Sequence, residues 1–195
     1  LNRYGDIGGG LLPGREDGVG TGTWYSEIDQ HVLAAFCDHR VGGKVVLPGT
    51  ALAEMALFAG CATLGTDQIE LRDVDLLAPV VLSRTTMTEV RTRANAEQAT
   101  IRIAARPRGT DAPLRPHLQT RFFRAVADGP QEPPPDARPR PGDRGSDRLY
   151  HSARRVGLNY GPGFALCRRV RTVRDGMAEV FLDPVEQAGK AEIST

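Results

Sequence analysis

Lysine is nearly missing from this chain. Lys44 and Lys190 stand alone among 25 basic residues, so the positive charge is almost all arginine, the bias of a GC-rich coding sequence. An excess of either sign is missing too: 25 basic against 24 acidic residues leave a formal net charge of +1 at pH 7. No basic run is interleaved with aromatics, which excludes nucleic-acid binding driven by bulk charge. Cysteine is scarce. Cys37, Cys61 and Cys167 are odd in number and far apart, with no Cys-x-x-Cys pair, so neither a disulfide framework nor a zinc site is indicated, and no metal is expected. No apolar run approaches the roughly 18 residues that a membrane helix needs. The opening Leu1-Asn2-Arg3-Tyr4-Gly5 lacks the basic start and apolar centre of a signal peptide. These absences point to a cytoplasmic location. Methionine is also absent from position 1, so the chain is expected to be a piece of something longer.

What is present suffices for a folded core: 40% apolar residues over 195 positions. Residues 1 to 23 are glycine-rich and read as a loose leading segment or a hairpin. Residues 24 to 28 are a candidate strand, and 30 to 36 a short helix. From Thr50 to about Thr63, Leu52, Met55, Ala56, Ala59 and Ala62 recur at helical spacing, with Thr50 as the candidate cap. Small residues on that stripe would let a sheet wrap closely around it. After Gly65 the pattern becomes that of strands, over 69 to 77, 80 to 82 with 85 to 94, 99 to 106 and 117 to 127. Thr86, Thr88, Val90 and Thr92 alternate with Met87, Glu89, Arg91 and Arg93, as in a strand buried on one face. Six prolines and three glycines between Asp128 and Asp147 exclude an internal strand or helix and predict a linker. A short helix, then strands over 165 to 174 and 177 to 182 around Asp175-Gly176, complete the pattern.

Two stretches carry chemistry. In Asp38-His39-Arg40-Val41-Gly42-Gly43-Lys44-Val45-Val46-Leu47-Pro48-Gly49 a titratable imidazole precedes a glycine turn and a helix start. Backbone N–H groups and the positive end of the helix dipole can there polarise an acyl oxygen, which is the layout of a base beside an electrophile. Cys37 stands two residues before His39, where a strand would put both on one face. It is read either as a nucleophile paired with His39 or as a buried structural cysteine. The second stretch, Gly157-Leu158-Asn159-Tyr160-Gly161-Pro162-Gly163-Phe164, is a rigid turn presenting the Tyr160 hydroxyl as a donor, or else a structural tyrosine. His31, His117 and His151 have no such setting and read as surface or packing residues.

The spacing His39-x-x-x-Gly43-x-x-x-x-Pro48 resembles the first signature of the dehydratase domains of modular polyketide synthases and animal-type fatty acid synthases. The second stretch resembles their Gly-Tyr-x-Tyr-Gly-Pro-x-Phe signature: Gly157, Tyr160, Gly161, Pro162 and Phe164 match, and Leu158 replaces a tyrosine. The resemblance implies an α+β double hot-dog fold. Its N-terminal hot-dog unit would run over 24 to 127, with a linker over 128 to 147 and an incomplete C-terminal unit over 148 to 195.

It further implies that His39 takes the α proton of an acyl-carrier-bound 3-hydroxyacyl thioester. Gly43, Pro48, Tyr160, Gly161 and Pro162 would line the substrate site. An aspartate would protonate the departing hydroxyl. Asp183-Pro184-Val185-Glu186-Gln187 has the family's Asp-x-x-x-Gln spacing but closes a strand, without the usual Leu-His-Pro segment, so the acid is expected beyond Thr195. No cofactor is implied, since the substrate rides on the phosphopantetheine of an acyl carrier protein. The implied partners are that carrier, neighbouring synthase domains and a second copy in a homodimer. Double-bond migration or ring closure in the same pocket, or an inactive scaffold or docking module, are the alternatives; a stand-alone hot-dog thioesterase leaves the second signature and the linker unexplained.

Overall fold

The computed structural model describes residues 14–18, 21–28, 34–126, 136, 138–174 and 176–182. In chain order its elements are β1 (Gly14–Gly18), β2 (Thr21–Ile28), a 3-10 turn (Ala34–Asp38), β3 (His39–Val41), β4 (Lys44–Val45) and α1 (Gly49–Leu64). There follow β5 (Ile69–Leu76), β6 (Thr88–Asn95), β7 (Thr100–Pro107), β8 (Arg115–Arg124) and β9 (Arg144–Gly145). Last come α2 (Asp147–Arg155), β10 (Leu158–Tyr160), β11 (Cys167–Arg174) and β12 (Met177–Leu182). The chain divides into two compact units, one of Leu1–Cys37 with Lys44–Gly129, the other of Asp38–Gly43 with Pro130–Thr195.

In the first unit a six-stranded antiparallel sheet, ordered β1-β2-β6-β7-β8-β5, packs on α1. The alternation read from the sequence appears as burial: Thr88, Val90, Thr92 and Ala94 of β6 face the core, with Ile101, Ile103 and Ala105 of β7. They meet Leu52, Met55, Ala56 and Ala59 of α1, while Trp24, Leu118 and Phe122 are fully buried beside them. Each such large apolar side chain contributes roughly 1.5–3 kcal/mol. Gly60 marks the closest approach of helix to sheet. A Cβ there would run into the Ile69 side chain and lie 3.2 Å from Phe122, so the small-residue stripe sets the helix–sheet distance.

Several local expectations shift. Thr50 is not the helix cap: Pro48 holds that position, its carbonyl accepting the N–H of Ala51 at 3.0 Å and of Leu52 at 3.3 Å. Proline fits because its fixed φ, here −58°, leads into the helix and its missing N–H costs nothing there. The sheet starts upstream of residue 24, since β1 and β2 form an antiparallel hairpin. Residues 30–33 of the expected short helix lie outside the described residues, and a 3-10 turn follows at Ala34–Asp38. Strand β6 begins at Thr88 because the Ser83 hydroxyl accepts the N–H groups of Thr85 and Thr86, holding them in a turn.

The second unit holds a small sheet ordered β12-β11-β9, the helix α2, and a short ladder of β10 against β3. Among its described residues α2 is the only helix. The proline-rich segment predicted as a linker is fastened at its described end. Arg171 donates to the backbone carbonyls of Asp136 (3.0 Å) and Arg138 (2.7 Å) and to the carboxylates of Asp143 and Glu179. Arg169 adds an ion pair to Asp143 at 2.8 Å. Prolines lack donors for a ladder, but their neighbours' carbonyls remain acceptors, and a buried guanidinium supplies five donors at once. Both arginines also stack on Phe181.

Candidate active site

The two sequence signatures meet in the second unit. Strands β3 and β10 pair antiparallel with Tyr160 opposite His39, Asn159 opposite Arg40 and Leu158 opposite Val41. Backbone bonds close both ends of this ladder: Gly42 N–H to the Gly157 carbonyl at 2.9 Å, and Gly161 N–H to the Asp38 carbonyl at 2.8 Å. Gly42, Gly43 and Gly157 have φ of 56°, 80° and 84°, where an L side chain is strained, so glycine permits the turn that returns the chain after His39.

The half-buried His39 imidazole lies beside two rings. Tyr160 is 5.6 Å away between centroids and tilted by 49°; Phe164 is 5.3 Å away and tilted by 54°. Phe164 is brought there by a one-turn loop in which the Gly161 carbonyl accepts the N–H groups of Phe164 and Ala165, both at 2.9 Å. Behind Tyr160, the Tyr150 ring of α2 stands edge-on at 6.3 Å, and its hydroxyl accepts the backbone N–H of Cys167 at 2.6 Å. A basic nitrogen, a phenol and an apolar ring thus share one half-buried place. That set can take a proton from a carbon acid and hold an oxygen nearby.

Of the residues singled out by sequence, His39, Tyr160 and Gly161 come together here, with Gly43 in the turn and Pro162 exposed on the loop. Pro48 belongs to the first unit, buried at the start of α1. The Cys37–His39 face-sharing argument does not apply, because Cys37 sits in the 3-10 turn and not in β3. Asp183 and His31 lie outside the described residues. His117 is a packing residue, 5% exposed, with Nδ1 2.9 Å from the Ala78 carbonyl, and burial pushes its pKa below the usual 6.5. His151 is exposed on α2.

Sequence reasoning gave no role to Asp38 or Tyr150. Asp38 had a readable signal, since a Gly-Pro-Gly turn leaves backbone donors in need of an acceptor. Among the described residues no group of three His, Cys, Asp or Glu side chains could hold a metal ion.

Residues 15–106 match the family described as "Polyketide synthase dehydratase domain". The spectinabilin polyketide synthase system protein NorA of Streptomyces orinoci is 30% identical over 180 residues, covering 87% of this chain and 9% of that protein. A phenolphthiocerol/phthiocerol polyketide synthase of Mycobacterium tuberculosis is 25% identical over 178 residues, covering 87% of this chain and 10% of that protein. A solved structure of the erythromycin dehydratase superposes with a TM-score of 0.70 at 26% identity, covering 85% of this chain and 63% of that one. Residues 15–106 belong to the dehydratase family of polyketide synthases.

For a dehydratase-family chain the α+β hot-dog reading holds: the long helix α1 with its antiparallel sheet is such a unit, and the second is incomplete among the described residues. This dehydratase-family chain spans about a tenth of the length of the curated relatives it matches.

Proposed function

We propose that this chain is part of a dehydratase acting on an acyl-carrier-bound 3-hydroxyacyl thioester, a hydro-lyase reaction giving the 2-enoyl thioester. The observation that carries the reading is the juxtaposition of His39 with Tyr160, from two signatures far apart in sequence, on one short ladder.

In this mechanism the neutral His39 imidazole removes the proton from C2. The electron pair forms the C2–C3 double bond, the C3–O bond breaks, and the oxygen leaves as water after receiving a proton from an acid. The Tyr160 hydroxyl holds the departing oxygen, and Gly161-Pro162 sets that hydroxyl's direction. Backbone N–H groups near Gly43 serve the thioester carbonyl. The acid is an aspartate from sequence that follows Thr195, with Asp183 as the candidate inside the chain. Three described carboxylates of the second unit suit that role poorly. Arginines hold Asp136 and Asp143 ionised, both with pKa pushed down to about 2, and Asp38 is already an acceptor.

The phosphopantetheine arm arrives with the carrier, and the protein needs no cofactor of its own. The partners are that carrier, neighbouring synthase domains and a second copy. The location is cytoplasmic, and no helix among the described residues is long and apolar enough to cross a membrane. Residues 24 to 127 and 148 to 195 are read as the two hot-dog units.

The test incubates a short 3-hydroxyacyl thioester with this chain, with the chain extended past Thr195, and with the Asp183→Ala variant, and identifies the product. An unshifted 2-enoyl thioester supports the reading. A migrated double bond or a ring replaces it with the isomerase or cyclase reading, and inertness of the extended chain leaves a scaffold.

A further inference from the structure

Asp38 grips the Gly161–Phe164 loop at two points. Its backbone carbonyl accepts the Gly161 N–H at 2.8 Å, and its carboxylate Oδ2 accepts the Gly163 N–H at 2.9 Å. The approach is so close that a Cβ on Gly161 would overlap the carboxylate; only glycine allows it. The two bonds do different things. The carbonyl bond is the next rung of the β3–β10 ladder and would survive any side-chain change at position 38. The carboxylate bond reaches past the ladder to the residue that precedes Phe164.

We propose that Asp38 is a positioning residue for the His39 site: its carboxylate holds the loop that sets Phe164 beside the imidazole, while the ladder sets Tyr160 beside it. A charged acceptor on a backbone N–H makes a stronger bond than a neutral one. Through this bond a side chain next to His39 fastens the far end of the loop. Without it the loop keeps its internal turn and its backbone anchor at Gly161 but loses the fastening at Gly163, and Phe164 restrains the ring less. Asp38 touches neither proton in the reaction; it acts through Phe164 and the imidazole orientation. The kinetic part of this inference rests on the dehydratase reading, and the spectroscopic part does not.

The test compares wild type with Asp38→Ala, which removes the acceptor, and Asp38→Asn, which keeps a neutral one. In wild type the Gly163 amide, though exposed, should exchange slowly with solvent, and the His39 ring protons should carry ring-current shifts from Tyr160 and Phe164. Asp38→Ala should release the Gly163 amide and move the His39 shifts toward those of a free imidazole; Asp38→Asn should retain most of both. With substrate, Asp38→Ala should lower kcat roughly 10- to 100-fold with little change in KM, and Asp38→Asn should recover most of the loss.

A Gly163 amide that exchanges freely in wild type, or an Asp38→Ala protein with unmoved His39 shifts, overturns the proposal. If the wild-type protein, assayed as the chain extended past Thr195, shows no turnover, the dehydratase reading fails while the exchange and shift data still decide the role of Asp38. If Asp38→Ala does not fold, the wild-type exchange rate and the Asp38→Asn shifts decide it.

Discussion

Tyr160 stands directly opposite His39 across a three-residue antiparallel ladder, their ring centroids 5.6 Å apart. The ladder is held by backbone bonds at both ends, so the pairing depends on glycines at the turns more than on either ring. Replacing Gly161 by alanine should therefore damage the site without touching a reactive group. The new methyl collides with the Asp38 carboxylate, and overpacking of this kind costs about 1–3 kcal/mol. Thermal unfolding should show the loss, and the His39 ring shifts should move. An Asp38→Ala change made together with Gly161→Ala should relieve part of the clash. Additivity of the two changes would contradict it.

The same steric logic applies in the first unit at Gly60. Alanine is favoured over glycine inside a helix by roughly 0.5–1 kcal/mol. At Gly60 its methyl meets the Ile69 and Phe122 side chains, so Gly60→Ala should lower the unfolding free energy by about 1–3 kcal/mol. A stabilised variant in denaturant titration would show that the helix–sheet spacing is looser than described.

The fold was more legible than the site. Long elements with a repeating face, α1 and β6 above all, follow from spacing alone, because each buries one face against the other. The ladder of β3 and β10 has three residues a side, too few for alternation to register, and it was reachable only through the resemblance of the two signatures to one family. Arg171 shows a different limit. A strand pattern would turn an arginine outward, yet it is 7% exposed, because Asp143 and Glu179 neutralise it and two backbone carbonyls take its remaining donors. Burial of a charge depends on partners far away in sequence, and no local window contains them.

That cluster makes the second unit acid-sensitive. Hydrogen bonds from Arg171 hold Asp143 at a pKa of about 2, and bonds from Arg138 do the same for Asp136, against the usual 3.8. With folded values below unfolded ones, the contribution is complete above the unfolded pKa and is lost as pH falls through the folded value. Backbone amides of β9 and β11 should therefore lose protection between about pH 4 and pH 2. Arg171→Gln should remove the Asp143 share of that pH dependence and leave the Asp136 share. An unchanged acid profile in the variant would assign the sensitivity to other groups.

His117 gives a second pH dependence, in a different window. Burial lowers its pKa below 6.5 and the Nδ1–H donates to the Ala78 carbonyl, so the folded protein holds it neutral. The unfolded chain then binds more protons, and stability falls as pH drops below 6.5 toward the folded value. His117→Gln keeps a donor without the charge and should flatten the denaturation midpoint between about pH 7 and 5. Parallel pH profiles for variant and wild type would remove His117 from the account.

The central claim is that His39 performs the proton abstraction with Tyr160 beside it. The most direct measurement is the rate of 2-enoyl thioester formation from a short 3-hydroxyacyl thioester, using the chain extended past Thr195, in wild type, His39→Ala and Tyr160→Phe proteins of matched folding. The account predicts turnover in wild type, none above background in His39→Ala, and a kcat roughly 10- to 1000-fold lower in Tyr160→Phe. Undiminished turnover by His39→Ala would contradict it.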